Sequence, residues 1–184
     1  AAVQRSRLFD FIRSSFVEDS SLTRLVQNSD IRDITSTPAI FQRAMGEGTE
    51  YDAQIREVLA HELVSPGALY EKLAVRDIKT AAHVLAPVYE QTKHRDGFVS
   101  LEVSPYLARD EKGTAHEAQR LWADVSEPNL MIKIPATPES IPAIRQTIAA
   151  GINVNVTLIF ALSAYKAVVE AWLSGLEDLH KTGG

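Results

Sequence analysis

The sequence predicts an α/β fold in which a parallel sheet curls into a barrel. Three observations carry that prediction. Short apolar strands alternate with longer amphipathic helices through the second half of the chain, the pattern of parallel strands joined by crossover helices. Three consecutive strands set apolar residues on one side and polar residues on the other. No G-x-G-x-x-G turn follows the first strand, as a dinucleotide-binding doubly wound sheet would require. With helices on the outside, the polar sides point into the barrel, where catalytic residues come from the carboxyl ends of several strands.

The elements follow in order. Leu8–Ile12 reads as a first strand, Ser20–Gln27 as a helix capped by Ser20 or Ser21, and Ile31–Ser36 as a second strand. Pro38 suits the opening of the next helix. Asp52–Leu63 has Ile55, Val58, Leu59 and Leu63 near helical spacing. Ser65-Pro66-Gly67 breaks it, and Ala68–Leu73 and Asp77–Thr92 continue helically. Then come strand Phe98–Val103, helix Thr114–Val125, strand Leu130–Ile134, helix Glu139–Ala149, strand Ile152–Ile159 and helix Ser163–Leu173. Five strands are present, with no repeat, linker or visible boundary, so residues 1–184 are read as one domain.

Composition narrows the function. Hydrophobic residues make up 45%, enough for a core. A net charge of -5 argues against a nucleic-acid surface, which needs a basic face. The absence of cysteine excludes disulfides, thiolate catalysis and cysteine–zinc sites, and fits a cytosolic protein. The first residues lack an apolar signal core, and no apolar run approaches the ~18 residues of a membrane span. The chain does not begin with Met, which fits processing or a fragment.

Four places carry chemistry. Lys133 lies inside an apolar strand, where burial disfavours its charged form and so favours an amine that attacks a carbonyl. The bland alternative is an edge-strand lysine with its head in water. Glu102 suits a general acid or base, or equally a solvated residue or an ion-pair partner of Lys133. Asn155 and Thr157 offer an amide and a hydroxyl on one strand face, for sugar hydroxyls or a catalytic water, though Asn also bridges strand ends and Thr is a good strand former. Asp10 sits between aromatic residues, where an apolar setting favours proton transfer; the alternative is an exposed aspartate. The five histidines show no ligand spacing, so no metal is expected.

Five stretches in chain order resemble the transaldolase family. They are Leu8-Phe9-Asp10-Phe11-Ile12-Arg13, Ile34-Thr35-Ser36-Thr37-Pro38-Ala39-Ile40-Phe41, Asp96-Gly97-Phe98-Val99-Ser100-Leu101-Glu102-Val103-Ser104-Pro105-Tyr106, Asn129-Leu130-Met131-Ile132-Lys133-Ile134-Pro135-Ala136-Thr137 and Gly151-Ile152-Asn153-Val154-Asn155-Val156-Thr157-Leu158-Ile159-Phe160. The chain looks like the N-terminal part of the longer bacterial type, some members of which are fused to a glucose-6-phosphate isomerase.

The resemblance implies a (β/α)8 TIM barrel, with about the first five βα units in this chain. It implies transfer of a three-carbon dihydroxyacetone unit between sugar phosphates in the pentose phosphate pathway, in the cytoplasm. Sedoheptulose 7-phosphate and glyceraldehyde 3-phosphate would give erythrose 4-phosphate and fructose 6-phosphate. By the same resemblance Lys133 forms the Schiff base and Asp10 takes the hydroxyl proton during carbon–carbon cleavage. Glu102 and Thr157 position a catalytic water; Asn155 contacts the sugar; Ser36 and Thr37 lie in its binding motif. No cofactor is expected, because the protonated imine is the electron sink, and neither nucleic acid nor membrane is an expected partner. One departure stands out: Thr37 occupies the place of a family Asn that hydrogen-bonds substrate hydroxyls. The later strands, which supply a serine and an arginine to the phosphate site, are not in this sequence. Two other readings stay open: an aldolase that releases dihydroxyacetone, and a non-catalytic fragment. A homo-oligomer or a fused C-terminal remainder is also left open.

Overall fold

The computed structural model describes residues 7–10, 14–29, 31–35, 37–46 and 48–183. The chain divides into two units, Ala1–Val99 with Glu127–Asn129, and Ser100–Ser126 with Leu130–Gly184.

The first unit holds β1 (Arg7–Asp10), α1 (Ser14–Glu18), α2 (Ser21–Asn28), β2 (Ile31–Thr35), α3 (Pro38–Gly46), α4 (Asp52–His61) and α5 (Pro66–Gln91). β1 and β2 are parallel, with Asp10 beside Thr35. Pro38 does open a helix. α5 departs from the sequence reading, which had two helical pieces. Its Ser65 cap accepts from the Ala68 N–H at 3.3 Å, and Pro66 stands at the first position, where a missing N–H costs nothing. From there 26 residues run without a break. Leu73, Ala74, Asp77, Ile78, Ala81 and Leu85 keep one buried stripe through the point where the break was expected. Pro87 removes one ladder hydrogen bond without ending the helix.

The entry into the third strand is pinned within this unit. Asp33 Oδ1 accepts from the N–H groups of Gly97 (3.0 Å) and Phe98 (2.9 Å). The Asn129 amide donates to the carbonyls of Ala82 (2.9 Å) and Gly97 (2.8 Å). Gly97 has φ 90, and a Cβ there would overlap the Tyr89 backbone, so only glycine fits.

The second unit contains β3 (Val99–Glu102, its first residue in the first unit), a 3₁₀ turn at Pro105–Leu107, α6 (Glu111–Val125), β4 (Leu130–Pro135), α7 (Ser140–Ala149), β5 (Val154–Thr157) and α8 (Leu162–Lys181). Its strands follow the order β3-β4-β5, and β4 and β5 are parallel. Leu101, Ile132 and Ile134 are buried; α6 packs on β4, and α7 on both β4 and β5. α8 lies so close on α7 that a Cβ at Gly175 would stand 2.9 Å from the Arg145 carbonyl and Ile148. α6 starts three residues earlier than its sequence pattern suggested, because Asp110 caps it by accepting from the Gly113 N–H at 3.0 Å. β3 and β5 are shorter than read, with residues such as Ile152 and Ile159 continuing the apolar pattern outside the strand, while β4 runs one residue further, to Pro135.

A buried polar cluster joins α1, α4 and α5. The Tyr51 hydroxyl donates to the Asp77 carboxylate at 2.6 Å and accepts from the Ser14 N–H at 2.9 Å. Burial, and next the hydrogen bond to Asp77, push the phenol well above its ordinary pKa. The folded chain therefore keeps a proton that the unfolded chain releases near pH ~10. This contribution to stability is whole below that pH and falls as pH rises past it. Urea denaturation from about pH 8 to about pH 11 should show Tyr51→Phe losing less stability over that range than the parent. Parallel losses would contradict the assignment.

Candidate active site

Lys133 lies in β4, an interior strand with β3 on one side and β5 on the other, so the edge-lysine alternative does not apply. Its side chain is only 8% exposed. The ammonium Nζ stands 3.4 Å from Oε2 of Glu102, itself 13% exposed. The Val103 N–H donates to the Lys133 carbonyl at 3.1 Å, and this bond sets the end of β3 beside the middle of β4. On the other side Lys133 is in register with Asn155, and Pro135 with Thr157. Residues in register across parallel strands share a face, so Lys133, Asn155 and Thr157 belong together, with Ile132 and Ile134 on the opposite face beside Val154 and Val156.

The Asn155 amide is oriented by its Nδ2 donating to Ser100 Oγ at 3.0 Å, which leaves its carbonyl oxygen as the acceptor on that face. Ser100 is a buried residue that the sequence reading did not propose. The signal was present, since Ser100 shares the polar side of its strand with Glu102. Thr157 ends β5, and its carbonyl accepts from the Ala136 N–H at 2.8 Å. Directly after it Leu158 takes φ 60, a left-handed conformation that costs a non-glycine residue about 1–2 kcal/mol. Such strain is concentrated at functional sites.

The first unit holds the other sequence-named residues. Asp10 ends β1 and is exposed, so the apolar enclosure expected from its aromatic neighbours is not formed; Phe9 instead turns to Phe16, with ring centroids 5.7 Å apart. Thr37 precedes α3, and its carbonyl accepts from the N–H groups of Ile40 (3.0 Å) and Phe41 (3.3 Å). Ser36 lies outside the described residues. Among the described residues no group of three His, Asp or Glu side chains is arranged to hold a metal, and no helix is long and apolar enough to cross a membrane.

The cluster is thus a buried amine against a carboxylate, with an oriented amide and a hydroxyl along the next strand. That set can form an imine with a carbonyl compound, move the protons of that reaction and hold a polyol. The sequence agrees with this chemistry: residues 8–182 match the family model described as transaldolase/fructose-6-phosphate aldolase. The chain belongs to this family. Among its relatives, a transaldolase of Thermobifida fusca (strain YX) is 48% identical over 174 residues, covering 95% of this chain and 47% of that protein. A transaldolase of Parafrankia sp. (strain EAN1pec) is 43% identical over the same shares, and a transaldolase 2 of Nostoc sp. is 41% identical over 91% of this chain and 44% of that protein. The chain therefore spans about half the length of the curated relatives it matches.

The buried pair makes a stability prediction. Lys133→Met would leave the Glu102 carboxylate without its ammonium partner inside the sheet and should cost about 3 kcal/mol. Adding Glu102→Leu should recover most of that loss, since a buried ion pair is commonly replaceable by apolar residues of similar volume. Urea denaturation of the two variants against the parent reads both effects; a double variant no more stable than Lys133→Met would contradict the pairing.

Proposed function

We propose that this chain is the N-terminal part of a transaldolase, a Schiff-base transferase that moves a dihydroxyacetone unit between sugar phosphates. The observation that carries the reading is the buried Lys133 with Glu102 at 3.4 Å. Lys133, freed of its proton, attacks the ketose carbonyl, and loss of water gives a protonated imine. A water held by Glu102 and Thr157 shuttles the protons of these steps. Asp10 takes the C4 hydroxyl proton, the C3–C4 bond breaks, and its electron pair passes to the imine nitrogen as an enamine. The aldose leaves as an aldehyde. The enamine then attacks an acceptor aldehyde, and hydrolysis returns the free lysine. Asn155, oriented by Ser100, is the amide for the bound sugar, and Ser36 and Thr37 belong to the family's second-strand substrate motif.

The same reading makes residues 1–184 one domain, about five βα units of a (β/α)8 barrel, in a cytoplasmic enzyme of the pentose phosphate pathway. Its partners are sugar phosphates. Further βα units, or a partner such as a fused isomerase, complete the whole protein. The half-length coverage of relatives supports this, as does the exposed face of α8. There Leu162, Tyr165, Trp172, Leu173 and Leu176 are exposed, and Trp172 and Leu176 line a cleft of about 230 Å³ at the start of β5. An apolar strip of this kind marks a surface meant to be covered.

Incubation of the full-length protein with fructose 6-phosphate and borohydride, followed by peptide mass mapping, tests the reading. A reduced three-carbon adduct on Lys133 is expected; Lys133→Ala and Lys133→Arg should give none, because a guanidinium stays protonated. Trapping at parent stoichiometry in Lys133→Ala would assign another lysine. A coupled assay for free dihydroxyacetone separates transfer from the aldolase activity in the family's description. Thr37→Asn, which restores the residue of the family motif, should lower the Michaelis constant for the ketose; an unchanged constant would make Thr37 indifferent to binding.

A further inference from the structure

We propose that Tyr51 and Asp77 are positioning residues for Asp10: the phenol holds the backbone that follows the acid/base carboxylate, and Asp77 holds the phenol. The inference rests on the reading of Asp10 given above.

Asp10 is the last residue of β1, fixed in register against Thr35. Four residues later in sequence the chain is fixed again. Ser14 is buried at the start of α1, where the first N–H groups of a helix have no partner within it. The Ser14 N–H donates to Tyr51 Oη at 2.9 Å, and the Ser15 N–H to a Glu50 carboxylate oxygen at 3.3 Å. Ser14 Oγ accepts from Gln54 Nε2 at 2.6 Å. Residues 50–54, at the start of α4, thus hold both the backbone and the side chain of Ser14, four residues after Asp10 in sequence.

The polarity of this contact is set from α5. A phenol carries one proton. Because Tyr51 gives it to Asp77 at 2.6 Å, its lone pairs are left for the Ser14 N–H. Tyr51 is 2% exposed and Asp77 3%, and Asp77 interrupts an otherwise apolar stripe of Leu73, Ala74, Ile78 and Ala81. Volume alone would be filled better by an aliphatic side chain, since a buried carboxylate is costly unless it is hydrogen-bonded. The carboxylate earns its place by orienting the phenol. The raised phenol pKa keeps the donor protonated across any working pH. A shift of about 1 Å at a catalytic group can cost about a hundredfold in rate, so an anchor four residues from Asp10 in sequence bears on turnover.

The test uses the full-length protein, with Asp10→Asn, Tyr51→Phe and their double variant assayed well below the unfolding midpoint. Tyr51→Phe should trap the imine on Lys133 at parent stoichiometry and keep its Michaelis constant within about twofold, while kcat for carbon–carbon cleavage falls about ten- to a hundredfold. In the Asp10→Asn background the same change should cost nothing further, because a residue acting through Asp10 has nothing left to act on. Asp77→Ser reads the pair independently should Tyr51→Phe not fold: it should lose cleavage similarly, and Asp77→Asn, which keeps an acceptor, should recover most of it. Parent kcat in folded Tyr51→Phe or Asp77→Ser, or an equal further loss on top of Asp10→Asn, would overturn the proposal while leaving Asp10 in its role. Cleavage at the parent rate in Asp10→Asn would overturn that role and this inference together.

Discussion

An ammonium group and a carboxylate are held 3.4 Å apart within the sheet of the second unit, and the local structure is arranged around that pair. Taking two charges out of water is expensive, and their attraction repays the cost only when geometry and further hydrogen bonds are good. The backbone supplies the geometry. Three neighbouring strands put Glu102, Lys133 and Asn155 side by side, while α6 and α7 bury the aliphatic face behind them. Such a pair is weak support for stability as such. It is well suited to chemistry, because an amine that must lose a proton and a group that can accept one are already in place.

The surrounding polar contacts form a shell of orientation. Ser100 turns the Asn155 amide, and Leu158 bends the backbone sharply behind Thr157. In the first unit, Asp33 and Asn129 fix the chain as it enters β3, with Gly97 supplying the backbone conformation that no other residue adopts easily. These first-unit contacts satisfy backbone groups at the amino end of β3, whereas barrels draw their active residues from the carboxyl ends of strands.

The strand–helix alternation was legible from Phe98 onward because each strand there is short, strongly apolar on one side and flanked by turn residues. Lys133 and Glu102 stood out as charges in apolar strands, and the structure sets them together. What was hidden depended on contacts distant in sequence. The two helical pieces read as Ala68–Leu73 and Asp77–Thr92 are one helix, α5, and a carboxylate within its buried stripe is accounted for by a hydrogen bond to Tyr51, 26 positions away. The five-residue α1 is too short to show a period, and the N–H groups of Ser14 and Ser15 are met by Tyr51 and Glu50, 37 and 35 positions away. Ser100 is an ordinary strand serine until Asn155, 55 positions on, is placed beside it. Asp10, flanked in sequence by Phe9 and Phe11, promised enclosure, but its side chain is exposed, because Phe9, its neighbour in β1, points to the opposite face.

The central claim is that Lys133 is the reacting amine, served by Glu102 and Asn155. It is tested most directly by a crystal structure of the full-length protein after borohydride reduction with fructose 6-phosphate. The account predicts a three-carbon adduct on Nζ of Lys133, an Asn155 contact to one of its hydroxyls, and Glu102 within one water of the new C–N bond. An adduct on any other lysine, or a Glu102 side chain turned to the opposite face of the sheet, would contradict it.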